Sequence, residues 1–248
     1  MQTYGRLPIV LEKGHNDDAV DENGKEYIDF GSGIGTNSLG YCNDKWADAV
    51  CAQARAIQHT SNYFYTKVQA DFAAKLCELT GYTDVFFGNS GAEANECAIK
   101  LARKYSFDKY GKGRHTIVTL VNSFHGRTLA TLSATGQDVF HNYFFPFVEG
   151  FVNVPANDID ALRKLIAEDK TICAVMFEFV QGEGGVNPLD KAFVDEIFKL
   201  CGENDILTVA DEVQTGVGRT GAILTSMRYG VKPDITTLAK GIAGGVPM

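Results

Sequence analysis

Two hydrophobic periods alternate along this chain. Residues 1–40 are rich in glycine and turn signals, and AVDENGKEYIDF places alternating apolar positions on either side of Asn23-Gly24. That dipeptide favours a two-residue turn, so a short hairpin is predicted there. From about Asp44 the period becomes 3.6, and Trp46, Ala49, Val50, Ala54 and Ile57 share one helical face. A second helix is predicted over Lys67 to Leu79, ended by Gly81.

Beyond Gly81, short apolar runs alternate with helical stretches. The runs are Val85–Phe87, Ile117–Val121, Cys173–Val180, Ile206–Ala210 and Ile235–Leu238, and the helical patterns fall at 91–105, 158–168 and 190–203. This alternation predicts βαβ units in an α/β fold: a mainly parallel central sheet with helices on both faces. Ligands of such sheets bind on loops beyond the carboxyl ends of the strands. No internal repeat, low-complexity tract or linker interrupts the pattern.

Composition narrows the partners. Asp and Glu outnumber Lys and Arg 31 to 23, a net charge of -8, which argues against a nucleic-acid footprint. The six cysteines include no C-x-x-C pair and fit reduced thiols in a cytoplasmic enzyme. The N-terminal MQTYGRLPIVLEKG lacks the apolar core of a signal peptide. The longest apolar stretch, around Ile172 to Val180, is broken by Glu178 and is too short for a bilayer, so no membrane partner is expected.

Four segments at predicted strand tips carry candidate chemistry. After Phe86-Phe87-Gly88, Ser90 and Glu93 form an S-x-x-E capping box that starts a helix, with Ala94, Cys97, Ala98, Leu101 and Tyr105 as its buried face. The N–H groups of Ser90, Gly91 and Ala92 make a phosphate-sized anion site, unless the box is only a cap. In Asn122–Thr128, Phe124 is placed to stack on a planar heterocycle and Arg127 to grip a carboxylate; core packing and a surface ion pair are the plainer readings. His125 is a weak candidate base.

Asp211 ends the Ile206–Ala210 run and needs a partner, such as a protonated ring nitrogen; capping or metal ligation is the alternative. No H-E-x-x-H or clustered His/Cys pattern supports a metal. Lys240 follows Ile235–Leu238 among Gly241, Gly244 and Gly245, where a desolvated amine could form an imine; otherwise it is a solvated turn lysine. No G-x-x-x-x-G-K-[ST] occurs, and Gly31-Ser32-Gly33-Ile34-Gly35 does not complete G-x-G-x-x-G.

Each segment alone is ambiguous, but their order is not. HTSNYFYT, FFGNSGAEANECAIKLARKY, NSFHGRTLATLSATGQ, EFVQGEGGVNP, DEVQTGVGRTG and PDITTLAKGIAGGVP together resemble the class III (ornithine-type) aminotransferases of fold type I, nearest to their acetylornithine branch. The resemblance runs from about Tyr4 to Met248. It implies pyridoxal 5'-phosphate (PLP) as cofactor. Ser90, Gly91 and Ala92 would hold its phosphate, Phe124 would stack on its ring and Asp211 would pair with the ring nitrogen. Val213 would pack beneath the ring, Gln214 would reach its 3'-oxygen, and Lys240 would hold it in a Schiff base and move the proton. Arg127 would bind the substrate α-carboxylate, and Glu183 would switch a second arginine between the two half-reactions.

The implied reaction is transfer from N2-acetylornithine to 2-oxoglutarate, in arginine biosynthesis, by a cytoplasmic homodimer. Ornithine, succinylornithine and 4-aminobutyrate are alternative donors, and a catalytically incompetent fragment is the alternative to an active enzyme. Phe179 stands where the family usually has proline, and Gly40–Asp44 departs from the family's GHxHP. Family members continue past Met248 with the rest of the large domain and a C-terminal small domain. On that pattern, residues 1–60 would be part of the small domain plus a linking helix, and 61–248 an incomplete large PLP-binding domain. The next strand would run antiparallel within the sheet, so its absence would leave exposed edges.

Overall fold

A computed structural model describes all of residues 1–248. The chain opens with a small antiparallel sheet of β1 (Leu11–His15), β2 (Asp18–Asp21) and β3 (Glu26–Ile28), in the order β1-β2-β3. The predicted hairpin is β2–β3. Its turn places Gly24 at φ +80, and Asp21 Oδ1 accepts from the Asn23 and Lys25 N–H groups at 2.9 and 3.0 Å. β1 extends this pair into three strands. A single turn, α1 (Ser32–Gly35), leads to α2 (Asp44–Ala56) and α3 (Lys67–Thr80), and Gly81 ends α3 in the left-handed conformation as predicted.

The remaining elements are α4 (Gly91–Tyr110), β4 (Thr116–Leu120), α5 (Leu129–Ala134), β5 (Phe151–Val154), α6 (Ile159–Glu168), β6 (Ile172–Phe177), β7 (Val180–Gln181), β8 (Asn187–Pro188), α7 (Lys191–Asn204), β9 (Leu207–Asp211), α8 (Thr225–Tyr229) and β10 (Ile235–Thr237). Five strands form the central sheet in the order β10-β9-β6-β4-β5, and every pairing is parallel. Successive residues of a strand point to opposite faces, which gives the sheet its two cores. Val118, Leu120, Val175 and Phe177 pack with Leu162 of α6 and Phe193, Val194 and Ile197 of α7. Ile117, Ala174, Met176 and Val209 pack with Ala98, Ile99 and Ala102 of α4. Phe179, in the family's proline position, is fully buried in the first core, 5.2 Å from Phe177 and 4.9 Å from Tyr229 between ring centroids.

Three expectations are corrected. Val85–Phe87 forms no strand, because no ladder partner lies beside it. It runs extended across an apolar cleft of about 350 Å³ from Ile235–Leu238, and β10 is left as the sheet edge. Tyr82 spans the gap, its hydroxyl donating to Pro233 O at 2.7 Å and lying 2.6 Å from Thr236 Oγ1.

The buried face of α4 is also rotated from the predicted one. Asn95, Ala98, Ile99, Ala102 and Ser106 are buried, whereas Leu101 and Tyr105 are 50% and 41% exposed. Ala94, Cys97 and Leu101 line the apolar cleft instead of the sheet. The capping box is half formed: Ser90 Oγ accepts from Glu93 N at 3.2 Å. The Glu93 carboxylate reaches one residue further back, accepting from Asn89 N at 2.7 Å and Asn89 Nδ2 at 2.8 Å. β5 and α5, which the hydrophobic pattern did not predict, complete the region.

Candidate active site

The carboxyl ends of β4, β6, β9 and β10 and the N-terminus of α4 converge on one cavity of about 650 Å³. All ten residues singled out from the sequence line it. Ser90, Gly91 and Ala92 come from the α4 N-terminus, Phe124 and Arg127 from the loop after β4, and Glu183 from the loop after β7. Asp211, Val213 and Gln214 follow from β9, and Lys240 follows β10.

α4 begins as its sequence dictates, with Ser90 extended at φ -165 and accepting one first-turn N–H. The N–H groups of Gly91 and Ala92 have no partner within the helix. They lie at the positive end of a 20-residue helix dipole, so the chemistry offered is anion binding. Glycine at 91 is a matter of space, because a Cβ there would sit 2.7 Å from Val213 Cγ1.

Asp211 is buried and fully engaged. Its Oδ2 accepts from Asn95 Nδ2 at 2.8 Å and lies 2.8 Å from His125 Nδ1, while its Oδ1 accepts from Val213 N at 3.0 Å. His125 is fully enclosed, and its Nε2 is the buried side-chain nitrogen without a partner. Burial pulls the imidazole pKa down, but the hydrogen bond and charge of Asp211 outweigh it and raise the value overall. The residue read as a weak candidate base is therefore tied to Asp211 in the interior.

Phe124 is half-buried, edge-on to Phe140 with ring centroids 5.5 Å apart. Its N–H donates to Glu178 Oε2 at 3.0 Å. Glu178 is buried at the tip of β6 and lines the cavity, and burial pushes its carboxyl pKa up to about 7. Glu183 pairs with Gln214 instead of an arginine, accepting from Nε2 at 3.3 Å. A Cβ at Gly182 would lie 1.6 Å from Gln214 Oε1, so only glycine admits that side chain. Arg127 is exposed at the cavity mouth, its guanidinium meeting the Tyr4 hydroxyl and lying 5.4 Å from the centre of the Tyr4 ring.

Lys240 has φ +51, in the left-handed region that non-glycine residues seldom occupy. Strain of this kind costs about 1–3 kcal/mol and clusters at functional positions. Burial lowers the pKa of its amine, against the pull of Asp211, Glu183 and Glu178.

Sequence reasoning missed Glu178, Asn95 and Thr237. Glu178 had a signal, an acid ending an apolar run at a strand tip. Asn95 and Thr237 had none, since their partners lie far along the chain.

The aminotransferase class-III family matches residues 1–248. The acetylornithine aminotransferase of Haemophilus ducreyi is 53% identical over 247 residues, covering 100% of this chain and 63% of its own length. That of Caldanaerobacter subterraneus is 48% identical over 248 residues, with the same coverage of 100% and 63%. This chain thus spans less than two thirds of the curated relatives it matches. Among solved structures, the ornithine aminotransferase of Toxoplasma gondii superposes with a TM-score of 0.95 at 34% identity, covering 100% of this chain and 59% of that one. The N-acetylornithine aminotransferase of Stenotrophomonas maltophilia gives 0.86 at 35% identity, covering 99% and 62%. With a family match across its whole length, on a parallel sheet whose strand tips gather a lysine, an aspartate and a helix N-terminus around one cavity, the chain belongs to the class-III aminotransferases, a family of PLP-dependent enzymes.

Proposed function

We propose that the chain carries the PLP site of an N2-acetylornithine:2-oxoglutarate aminotransferase. The observation that carries this reading is the convergence of Lys240, Asp211, Phe124 and the Ser90–Ala92 N-terminus on one cavity. The residues fit the cofactor by their chemistry: anion-binding N–H groups for a phosphate, a buried carboxylate for a ring nitrogen, and a desolvated amine for an aldehyde. Val213, held against Gly91, supplies an apolar surface for the ring, and Gln214 an amide for its 3'-oxygen. When bound, PLP supplies an aldehyde that takes up the amino group and an electron-withdrawing ring that acidifies the neighbouring carbon.

The protein's own residues do the rest. Lys240 Nζ, its pKa lowered by burial, is neutral often enough to take a proton from the carbon bearing the donor's amino group and return it. Arg127 holds the substrate α-carboxylate, with Tyr4 fixing the guanidinium. Glu183 lines the same cavity and serves the exchange between the two substrates.

Acetylornithine as donor is supported by the names of the relatives at 48–53% identity. Ornithine is the second reading, favoured by the superposition on the Toxoplasma gondii enzyme. The exposed aromatics Phe30, Tyr63, Phe64 and Tyr65 support a homodimer whose interface covers them. The setting would be arginine biosynthesis in the cytoplasm; no helix is long and apolar enough to cross a membrane. The division into a segment over 1–60 and a large domain over 61–248 belongs to the same proposal.

A donor screen tests it: the chain, and a version carrying the C-terminal third of a relative, are loaded with PLP and given 2-oxoglutarate and each candidate donor. Glutamate formation fastest with N2-acetylornithine is the expected result. Faster turnover with ornithine would favour the second reading, and a chain that takes up no PLP would refute both.

A further inference from the structure

Asn95 sits one helical turn beyond the anion-binding end of α4, with its side chain buried. Its Nδ2 donates to Asp211 Oδ2 at 2.8 Å and to His125 O at 2.7 Å, and its Oδ1 accepts from Thr237 Oγ1 at 2.7 Å. The orientation of this amide is unambiguous. Two acceptors face one end, so that end must be NH2, and the Thr237 hydroxyl faces the other. One side chain therefore ties α4 to the tip of β9, to the loop carrying Phe124 and to the last residue of β10.

The consequence falls on Asp211. Its Oδ2 is occupied by Asn95 and His125, so the capacity for another donor lies on Oδ1, which takes only Val213 N. Removing Asn95 would free the carboxylate to turn about its Cβ–Cγ bond. Two Asn95 donors also hold the His125 loop and Asp211 at a constant separation. Both hydrogen bonds are buried, where a lost donor is expensive because no water replaces it.

We propose that Asn95 is a positioning residue for the cofactor ring: it fixes the Asp211 carboxylate and the Phe124–His125 loop relative to the anion-binding end of α4. This rests on the PLP reading of the cavity. Asn95 acts on the ring partner, whereas the phosphate is held by backbone N–H groups a turn away. The ring and phosphate halves of the cofactor should therefore respond differently to its loss.

The test measures binding of three probes, PLP, pyridoxal and inorganic phosphate, to the full chain and to its Asn95→Asp, Asn95→Ala and Thr237→Val variants. Asn95→Asp is isosteric but turns an oxygen toward two acceptors. It should weaken PLP and pyridoxal by the same factor, at least about tenfold, and leave phosphate binding within about twofold, as followed by absorbance and phosphorus NMR. Thr237→Val frees the amide to turn and should act the same way by about three- to tenfold. If Asn95→Asp does not fold, Asn95→Ala and Thr237→Val carry the comparison with the same expected split.

Unchanged binding of PLP and pyridoxal in the folded variants would overturn the proposal. So would an equal loss of phosphate, which would show that Asn95 merely stabilises α4. If the wild-type chain binds neither PLP nor pyridoxal, the reading of the cavity itself fails, and the proposal goes with it before any variant is compared.

Discussion

Residues 1–90 and residues 91–239 obey the same hydrophobic periodicities, yet only the second stretch is packed. Before Gly91 the buried residues are Ala19 and Asp21; the other buried residues all follow Ala94, on α4, the central sheet and its covering helices and loops. α2 and α3 have no buried residue at all, although their apolar positions recur at helical spacing. A periodic sequence therefore specifies that a helix forms, but a core needs a second layer to face it. The cavity depends on both regions. Tyr4 meets Arg127, Trp46 Nε1 donates to Ala243 O at 3.0 Å near Lys240, and a Cβ on Gly241 would lie 2.3 Å from Ser38 Oγ.

The largest test of this contrast compares two phenylalanines. Phe177 is fully buried, so Phe177→Ala should cost about 3–5 kcal/mol in urea denaturation. Phe64 is 70% exposed, and Phe64→Ala should change stability by no more than about 0.5 kcal/mol. Equal losses would mean that the first region carries a core of its own.

A second test uses pH. The Glu178 carboxyl is raised by burial from 4.5 to about 7, so between those values the folded state keeps a proton that the unfolded state has released. Stability must then fall as pH rises through that window. His125 acts in the same direction: its raised pKa contributes stability below the unfolded value of 6.5, lost as pH climbs through the folded value. Glu178→Gln removes one of these protons, so its Tm relative to wild type should be higher at pH 8 than at pH 5. A difference that does not move with pH would contradict the buried assignment.

Trp46 is the only tryptophan and sits in the first region. Its fluorescence should change at a lower urea concentration than far-UV circular dichroism, which is dominated by the packed region. Coincident transitions would show that the two regions unfold as one unit. The smallest effect is at the surface: the Lys67–Asp71 pair is 86% and 62% exposed, and Lys67→Ala should alter stability by less than about 0.5 kcal/mol.

These particulars also show what the sequence could convey. β4, β6 and β9 were legible because a fully buried strand demands a run of apolar, β-branched residues, and the N-terminus of α4 because its cap is local. The Val85–Phe87 run has the same composition, but a strand exists only through a partner, and that is not written locally. The face of α4 was misjudged because Asn95 and Ser106 look like solvent-facing residues. Both are satisfied inside, Asn95 by Asp211, His125 and Thr237, and Ser106 by a bond from its Oγ to Arg114 O at 2.7 Å. The ten candidate site residues lie along one cavity because parallel strands end on the same side of the sheet, which topology ensures once the strands are right. Their roles were legible only through the family resemblance, since each segment alone admitted a plainer reading.

The central claim concerns Lys240, and one measurement addresses it directly. The chain is incubated with PLP, reduced with borohydride, digested and mapped by mass spectrometry. The account predicts a single phosphopyridoxyl adduct on Lys240, absent from Lys240→Ala; an adduct on another lysine, or none, would contradict it.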